Sequence, residues 1–303
     1  LSFQTNFAVL MLDAKIEQQE LSKLINTFSP NYVIGPEERM NNGTKLKIVS
    51  KYNSYIFAVF NGLKLNINDE IKFLLPTSGT TGEQKFVKLS MQNVIANAID
   101  IKSYLKLSNS DIAPTTMPLS YSYGLSIVNS HLEAGASIFV QSSTVVEKNF
   151  LPDLNNAKIT NLNGVPTFWE FGERMGLFLN FPKSVRLVTQ AGGKMSENLT
   201  QKMYENFAQK NIDFFVMYGQ TECSPRMSYL NVNQFPEKIG SIGREIRTGR
   251  FILKTVDTSG EIPIKELIYR GPNVGLGYAK SWHDLAKDDE WKGQVNTGDL
   301  AIV

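Results

Sequence analysis

The sequence predicts an α/β protein with a largely parallel sheet or sheets and a small, mostly β subdomain attached to it. Two observations carry this. Amphipathic helical patterns alternate with short apolar runs as far as about Phe235, and beyond it glycines become dense and the strands short. The first helix is read in "DAKIEQQELSKLINTFSP". Leu21, Leu24, Ile25 and Phe28 fall on one face, Asp13 suits the N-cap and Pro30 stops the helix. "VFNGLKL" reads as a hairpin turning at Asn61-Gly62, a pair that suits a type I′ turn. "LSMQNVIANAIDIKSYLKL" is a second helix capped by Ser90, and a third starts near Ser196 with Leu199, Met203 and Phe207 at steps of four. "IKFLL", "ASIFV", "VRLVT" and "DFFVMY" are short, apolar and β-rich, as strands buried on both faces are. In the tail, only "SWHDLAK" has a helical pattern, and "WHDLAKDDEW" reads as a solvated helix and loop.

Composition narrows the function classes. The chain has 303 residues, 42% hydrophobic and 20% charged, with a net charge of +2. That is ordinary globular composition with enough length for more than one core. No basic run is present, so nucleic acid is not expected as a partner. No apolar run approaches the roughly 20 residues of a membrane span, and the opening residues lack the basic flank of a signal peptide. Cys223 is the single cysteine, which rules out an intrachain disulfide and fits a reducing, cytoplasmic setting. His131 and His283 have no cysteine partners and no zinc spacing. The chain opens on Leu1 and closes within what reads as a strand, so it is expected to be a piece of something longer.

Chemistry concentrates in three strings. In "TSGTTGEQK", Gly79 and Gly82 follow a strand and allow backbone N–H groups to converge on an anion. Thr77, Ser78, Thr80 and Thr81 add hydroxyls, and Lys85 adds a mobile cation. The glycine spacing is not that of a Walker A loop, and the alternative is a plain surface turn. In "FVMYGQTECSP" a strand ends at Tyr218-Gly219, and strand C-termini are where open α/β sheets bind ligands. Tyr218 could stack on a base, Thr221 could donate to a phosphate and Glu222 could hold Mg²⁺; a turn with a solvated glutamate is the other reading. In "VNTGDL", Asp299 could accept from two ribose hydroxyls or be an ordinary turn residue.

Together and in this order, the strings resemble the adenylate-forming superfamily of acyl- and aryl-CoA synthetases, luciferase-like enzymes and amino-acid adenylation domains. "TSGTTGEQK" is similar to its phosphate-loop signature, "YGQTE" to its Tyr-Gly-x-Thr-Glu motif and "TGD" to its ribose-binding aspartate. "NGVPTFWEF", "VRLVTQAGGKMS" and "KELIYRGPNVGLGYAK" extend the resemblance over nearly the whole chain. It implies two stacked βα sheets in an αβαβα layering, plus a distorted β-barrel. The expected division is 1–95 for the first α/β subdomain (N-terminally incomplete), 96–235 for the second and 236–303 for the barrel, with the small C-terminal domain absent.

The resemblance also implies roles. ATP and Mg²⁺ would be bound: residues 77–85 would handle the β- and γ-phosphates, and Tyr218 would stack on adenine with Ala191, Gly192 and Gly193 on its other side. Gly219 would be among the nucleotide-binding residues, Thr221 would touch the α-phosphate, Glu222 would bind Mg²⁺ and Asp299 would hold the ribose. A small carboxylic acid would lie against Tyr121, Gly164, Val165 and Ala191, be adenylated, and pass to CoA or to the phosphopantetheine of an acyl carrier protein. Alternatives are a non-catalytic nucleotide-binding relative and an amino-acid adenylating ligase; a phosphotransferase would differ by making ADP. Gln84 stands where the family's loop has proline, and Tyr121 stands where many members have histidine, either at the acid pocket or as a core aromatic. Residues 114–130 hold no Asp or Glu to pair a substrate amine, so an acid without a neighbouring amine is expected. Cys223 is read as a small buried hydrophobe, not a nucleophile.

Overall fold

The computed structural model describes residues 7–40, 46–60, 63–77, 84–257 and 264–302. The chain divides into two compact units, residues 1–90 with 276–290, and 91–275 with 291–303. In chain order the first unit holds β1 (Val9–Leu10), α1 (Gln18–Phe28), β2 (Tyr32–Pro36), the one-turn α2 (Glu37–Met40), β3 (Leu46–Tyr52), β4 (Tyr55–Phe60), β5 (Ile71–Pro76) and β6 (Phe86–Ser90). The second holds α3 (Met91–Tyr104), β7 (Ile112–Pro114), α4 (Ser122–Glu133), β8 (Ser137–Phe139), α5 (Phe150–Asn156), β9 (Asn161–Gly164) and α6 (Pro166–Arg174). It continues with β10 (Leu187–Gln190), α7 (Glu197–Ala208), β11 (Asp213–Gly219), β12 (Arg226–Asn231), β13 (Arg244–Glu245), β14 (Arg250–Asp257) and β15 (Ile264–Arg270). The chain returns to the first unit for β16 (Gly277–Ala279) and ends in β17 (Gln294–Ala301) of the second.

In the first unit, β1, β5, β6 and β16 form one sheet and β2, β4 and β3 another. Leu24 and Phe28 of α1 bury against Ile71, Leu74 and Phe86, the side-chain set expected from the helical spacing. Asp13 does not cap α1. Its Oδ1 accepts the Lys15 N–H at 2.8 Å, and α1 starts only at Gln18. The expected hairpin also moves. Asn61-Gly62 lie outside the described residues, and 63–68 form no strand because Leu65 and Ile67 are drawn into the core with Ile71. The hairpin is instead β3–β4, with Asn53 at φ 52 in its turn, a left-handed conformation that asparagine tolerates. The stretch after Ser281 is a short 3-10 turn, Trp282–Ala286, fixed by a capping box between Ser281 and Asp284. It buries Leu285 in the same core.

The second unit is built on the sheet β13-β12-β11-β10-β9, in which β9, β10 and β11 are parallel and β12 and β13 antiparallel. Adjacent residues on each strand enter different cores. Val188, Phe214 and Leu230 meet Trp169, Met203 and Phe207, while Leu187, Phe215 and Tyr229 meet Ile101, Tyr123 and Ile127. Burial on both faces is why these strands are continuous apolar runs. Phe207 is fully buried, and truncating such a ring typically costs about 3–5 kcal/mol. Ser196 caps α7 by accepting from Leu199 N–H. The β-rich tail forms the antiparallel sheet β14-β15-β17.

His131 is a buried structural group of α4. Its Nδ1–H donates to the Ile127 carbonyl at 2.8 Å, and Asn161 donates to Nε2 at 2.7 Å. Burial holds its pKa below the ordinary value. Above about pH 6.5, folded and unfolded chains are both neutral at this site. Below it the unfolded chain binds a proton that the folded one refuses, so stability falls by at most about 1.4 kcal/mol per pH unit. Urea midpoints should be level above pH 7 and decline from about 6.5 downward; a midpoint unchanged to pH 5 contradicts this.

Candidate active site

The parallel strands β9, β10 and β11 end side by side, with Gly164 paired to Gln190 and Gln190 to Val216. Their carboxyl ends therefore run into Gly164-Val165, Ala191-Gly192-Gly193 and Tyr218-Gly219, the edge at which α/β sheets receive ligands. Residues far apart in sequence are gathered there by strand register alone.

Local chemistry shapes each corner. β11 and β12 are joined through Gln220, the 3-10 turn Thr221–Cys223, a left-handed Ser224 and Pro225. Gly219 is required, because a Cβ there would stand 1.9 Å from the Pro225 carbonyl oxygen. Thr221 Oγ1 lies 3.0 Å from Ser122 Oγ at the start of α4. Tyr218 donates to Asp299 Oδ2 at 2.5 Å, and Asp299 N–H donates to Thr297 Oγ1 at 3.0 Å. Burial, then the carboxylate beside it, pushes the Tyr218 phenol well up, so it stays protonated and donating. Asp299 keeps Oδ1 without a partner among the described residues. An aromatic ring and an acceptor oxygen thus stand together, as a nucleoside requires.

The acid-pocket candidates also converge. At Gly192, φ is +84°, and an added Cβ would meet the Tyr121 hydroxyl at 2.2 Å and Val165 Cγ1 at 3.1 Å. Tyr121 and Val165 pack against the core that contains Ala191. The Tyr121 hydroxyl makes no hydrogen bond among the described residues, and burial raises its pKa against an opposing effect of Arg226. Gly164 turns the place of its missing side chain toward Phe168, and its carbonyl accepts from Trp169 Nε1 at 3.1 Å. Gly193 lies against Pro166.

Glu222 is half-buried in the β11–β12 connection, and its carbonyl accepts from Gly275 N–H. No group of three or more His, Cys, Asp or Glu side chains gathers among the described residues. A single carboxylate suits Mg²⁺, which keeps waters and takes the rest of its ligands from phosphates. Cys223 is fully buried and its thiol pKa is pushed well up, as expected of a packing residue.

In the first unit, Ser78, Gly79, Thr80, Thr81 and Gly82 lie outside the described residues. The base of their loop is described: Thr77 N–H donates to the Lys85 carbonyl at 3.2 Å, and Lys85 Nζ stands 3.8 Å from the Tyr278 ring centroid.

Ser122, Tyr123, Thr189 and Arg226 were not anticipated from the sequence. An arginine inside the otherwise buried strand "RMSYL" was the one signal that a charged group faces the interior.

Residues 3–279 match the family model described as AMP-binding enzyme. A 2-succinylbenzoate–CoA ligase of Bacillus cytotoxicus is 28% identical over 244 residues, 77% of this chain and 48% of the relative. The putative acyl-CoA synthetase YngI of Bacillus subtilis is 30% identical over 75% of this chain and 42% of its own. The chain thus spans about half the length of the curated relatives it matches. O-succinylbenzoate CoA synthetase of B. subtilis, solved with ATP and magnesium, superposes with a TM-score of 0.68 at 20% identity, over 98% of this chain and 62% of that one. The same enzyme with its acyl-adenylate intermediate gives 0.65 at 21%, over 97% and 55%. These structures show the layered α/β fold expected of an adenylate-forming N-terminal domain. The chain belongs to the AMP-binding enzyme family.

Proposed function

We propose that the full-length protein activates a small carboxylic acid with ATP, forming an acyl-adenylate and pyrophosphate, and then passes the acyl group to a thiol. The observation that carries this is the meeting of Tyr218, Thr221 and Asp299 with Tyr121, Val165 and Gly192 at one sheet edge, in a chain of the AMP-binding family. Tyr218 would lie on the adenine opposite the turn at Ala191, Gly192 and Gly193, and Asp299 would accept from the ribose. Thr221, oriented by Ser122, would donate to the α-phosphate. The loop at 77–85 would bind the outer phosphates, with Lys85 leaving the Tyr278 ring to do so. Glu222 would be the protein ligand of Mg²⁺, which when bound neutralises phosphate charge.

A carboxylate oxygen of the acid bonds to the α-phosphorus as the bond to the bridging oxygen breaks and pyrophosphate leaves. The thiol, losing its proton to the medium, then bonds to the acyl carbon and AMP departs. Neither step asks for a protein nucleophile. Alignment and preorganised donors lower the first barrier. The 2-succinylbenzoate–CoA ligases favour CoA as acceptor; a carrier-protein pantetheine is the second reading. ATP and CoA as co-substrates fit a cytoplasmic setting.

A panel of acids assayed for pyrophosphate release, with the spent nucleotide separated by chromatography, tests this. Acid-dependent AMP and pyrophosphate are expected. ADP would indicate phosphoryl transfer instead, and nucleotide binding without acid-dependent turnover would indicate a non-catalytic relative. Activity with amino acids alone would contradict the absence of an acidic partner in residues 114–130.

A further inference from the structure

Arg226 opens β12 directly beside Gly219 and is only 3% exposed. Its guanidinium lies 4.2 Å from the centroid of the Tyr123 ring. Its buried Nε has no partner, and no carboxylate pairs with it among the described residues. Asp100 and Asp111, the buried carboxylates of this unit, are committed elsewhere. Asp100 accepts from Arg247 and Thr248, and Asp111 accepts from Arg186 and Thr160. A buried arginine set against a phenol ring with no acid beside it is incompletely compensated, because a cation–π contact replaces little of its hydration.

Its surroundings are those of the acid pocket. Tyr121 is the N-cap of α4 and Tyr123 lies in its first turn, and the two rings meet edge to face at 6.3 Å. Tyr123 hydroxyl lies 2.7 Å from Thr189 Oγ1, on the strand that leads into Ala191 and Gly192. Arg226 also acts electrostatically on Tyr121 itself.

We propose that Arg226 is a specificity-determining residue of the acid pocket, and that the acid activated carries a second carboxylate, which binds the guanidinium. The inference rests on the proposed adenylating function and names its substrate class. Guanidinium and carboxylate match as planar donor and acceptor pairs. The same positive charge repels a substrate ammonium, in line with the absence of acidic residues in 114–130.

The test is pyrophosphate release by the full-length protein with chain-matched acids, adipate against hexanoate and terephthalate against benzoate. The native protein should favour the diacid of each pair. Arg226→Met should lower kcat/KM for diacids by roughly 30-fold or more, the range for removing one partner of a buried charge pair, while monoacids are kept or improved. The variant is expected to fold, because an apolar replacement of an unpaired buried charge is usually tolerated. Arg226→Gln serves if it does not accumulate. Native preference for monoacids, or equal losses on both classes, overturns the proposal. Should no acid release pyrophosphate, the adenylating function fails, and thermal shift with adipate alone decides on Arg226. Stabilisation of the native protein but not of the variant supports the carboxylate site, and no stabilisation of either overturns it.

Discussion

Replacing Asp299 by alanine in the full-length protein is expected to lower kcat/KM for ATP by about 100-fold or more. Asp299 is held beside Tyr218 by a 2.5 Å hydrogen bond and anchored through Thr297, whose hydroxyl donates to the Leu267 carbonyl. In the proposed complex it accepts from two ribose hydroxyls. Hydrogen bonds to a charged group are worth about 1.5–3 kcal/mol each, and two of them multiply to the stated loss. Tyr218→Phe separates the parts. It keeps the ring and frees the carboxylate, so its effect should stay within about tenfold, near one lost hydrogen bond. Fluorescent AMP titration reads both variants. If the alanine variant binds AMP as tightly as the native protein, the nucleoside does not lie on Asp299.

Gly219→Ala is expected to destabilise the second unit strongly. The new methyl would stand 1.9 Å from the Pro225 carbonyl oxygen, in the connection, and 3.1 Å from the Arg226 Cα, at the start of β12, both main-chain atoms. Neither can swing aside as a side chain would, so the β11–β12 connection must open. That breaks the geometry that presents Thr221 to Ser122. A loss of about 3 kcal/mol or more in urea unfolding is expected, with adenylation abolished. Gly298→Ala is the control: nothing lies within 4 Å of the added atom, and only its φ of +77° opposes the change. Its cost should be about 1–2 kcal/mol. Equal stabilities of the two variants would mean that the connection is not packed as described.

The helices and strands of the second unit were legible because their burial is periodic or continuous. Leu199, Met203 and Phe207 recur on one face of α7, and "DFFVMY" is β11 entire but for its terminal glycine. Misreadings fell where two local rules compete. Asp13 satisfies a turn as readily as a helix cap, and Asn53 makes a hairpin turn as well as Asn61-Gly62 would. Which one operates depends on where Leu65 and Ile67 are buried, a tertiary matter. Likewise residues 276–290 read as continuous with the β-rich tail, yet β16 pairs with β6 and packs in the first unit. Three residues pairing across a long separation leave no local pattern.

The motif strings by themselves determined the family, the expected nucleotide chemistry and the residue types that serve it, because backbone turns of that kind admit only small residues and hydroxyls. Only the tertiary structure decided that Tyr218 donates to Asp299, that Ser122 meets Thr221 and that Arg226 is buried against Tyr123 without an acid. These contacts join residues 81 (Tyr218 to Asp299), 99 (Ser122 to Thr221) and 103 (Tyr123 to Arg226) positions apart along the chain. They arise from strand register and from which face of α4 meets the sheet, quantities set by the packing of the whole core.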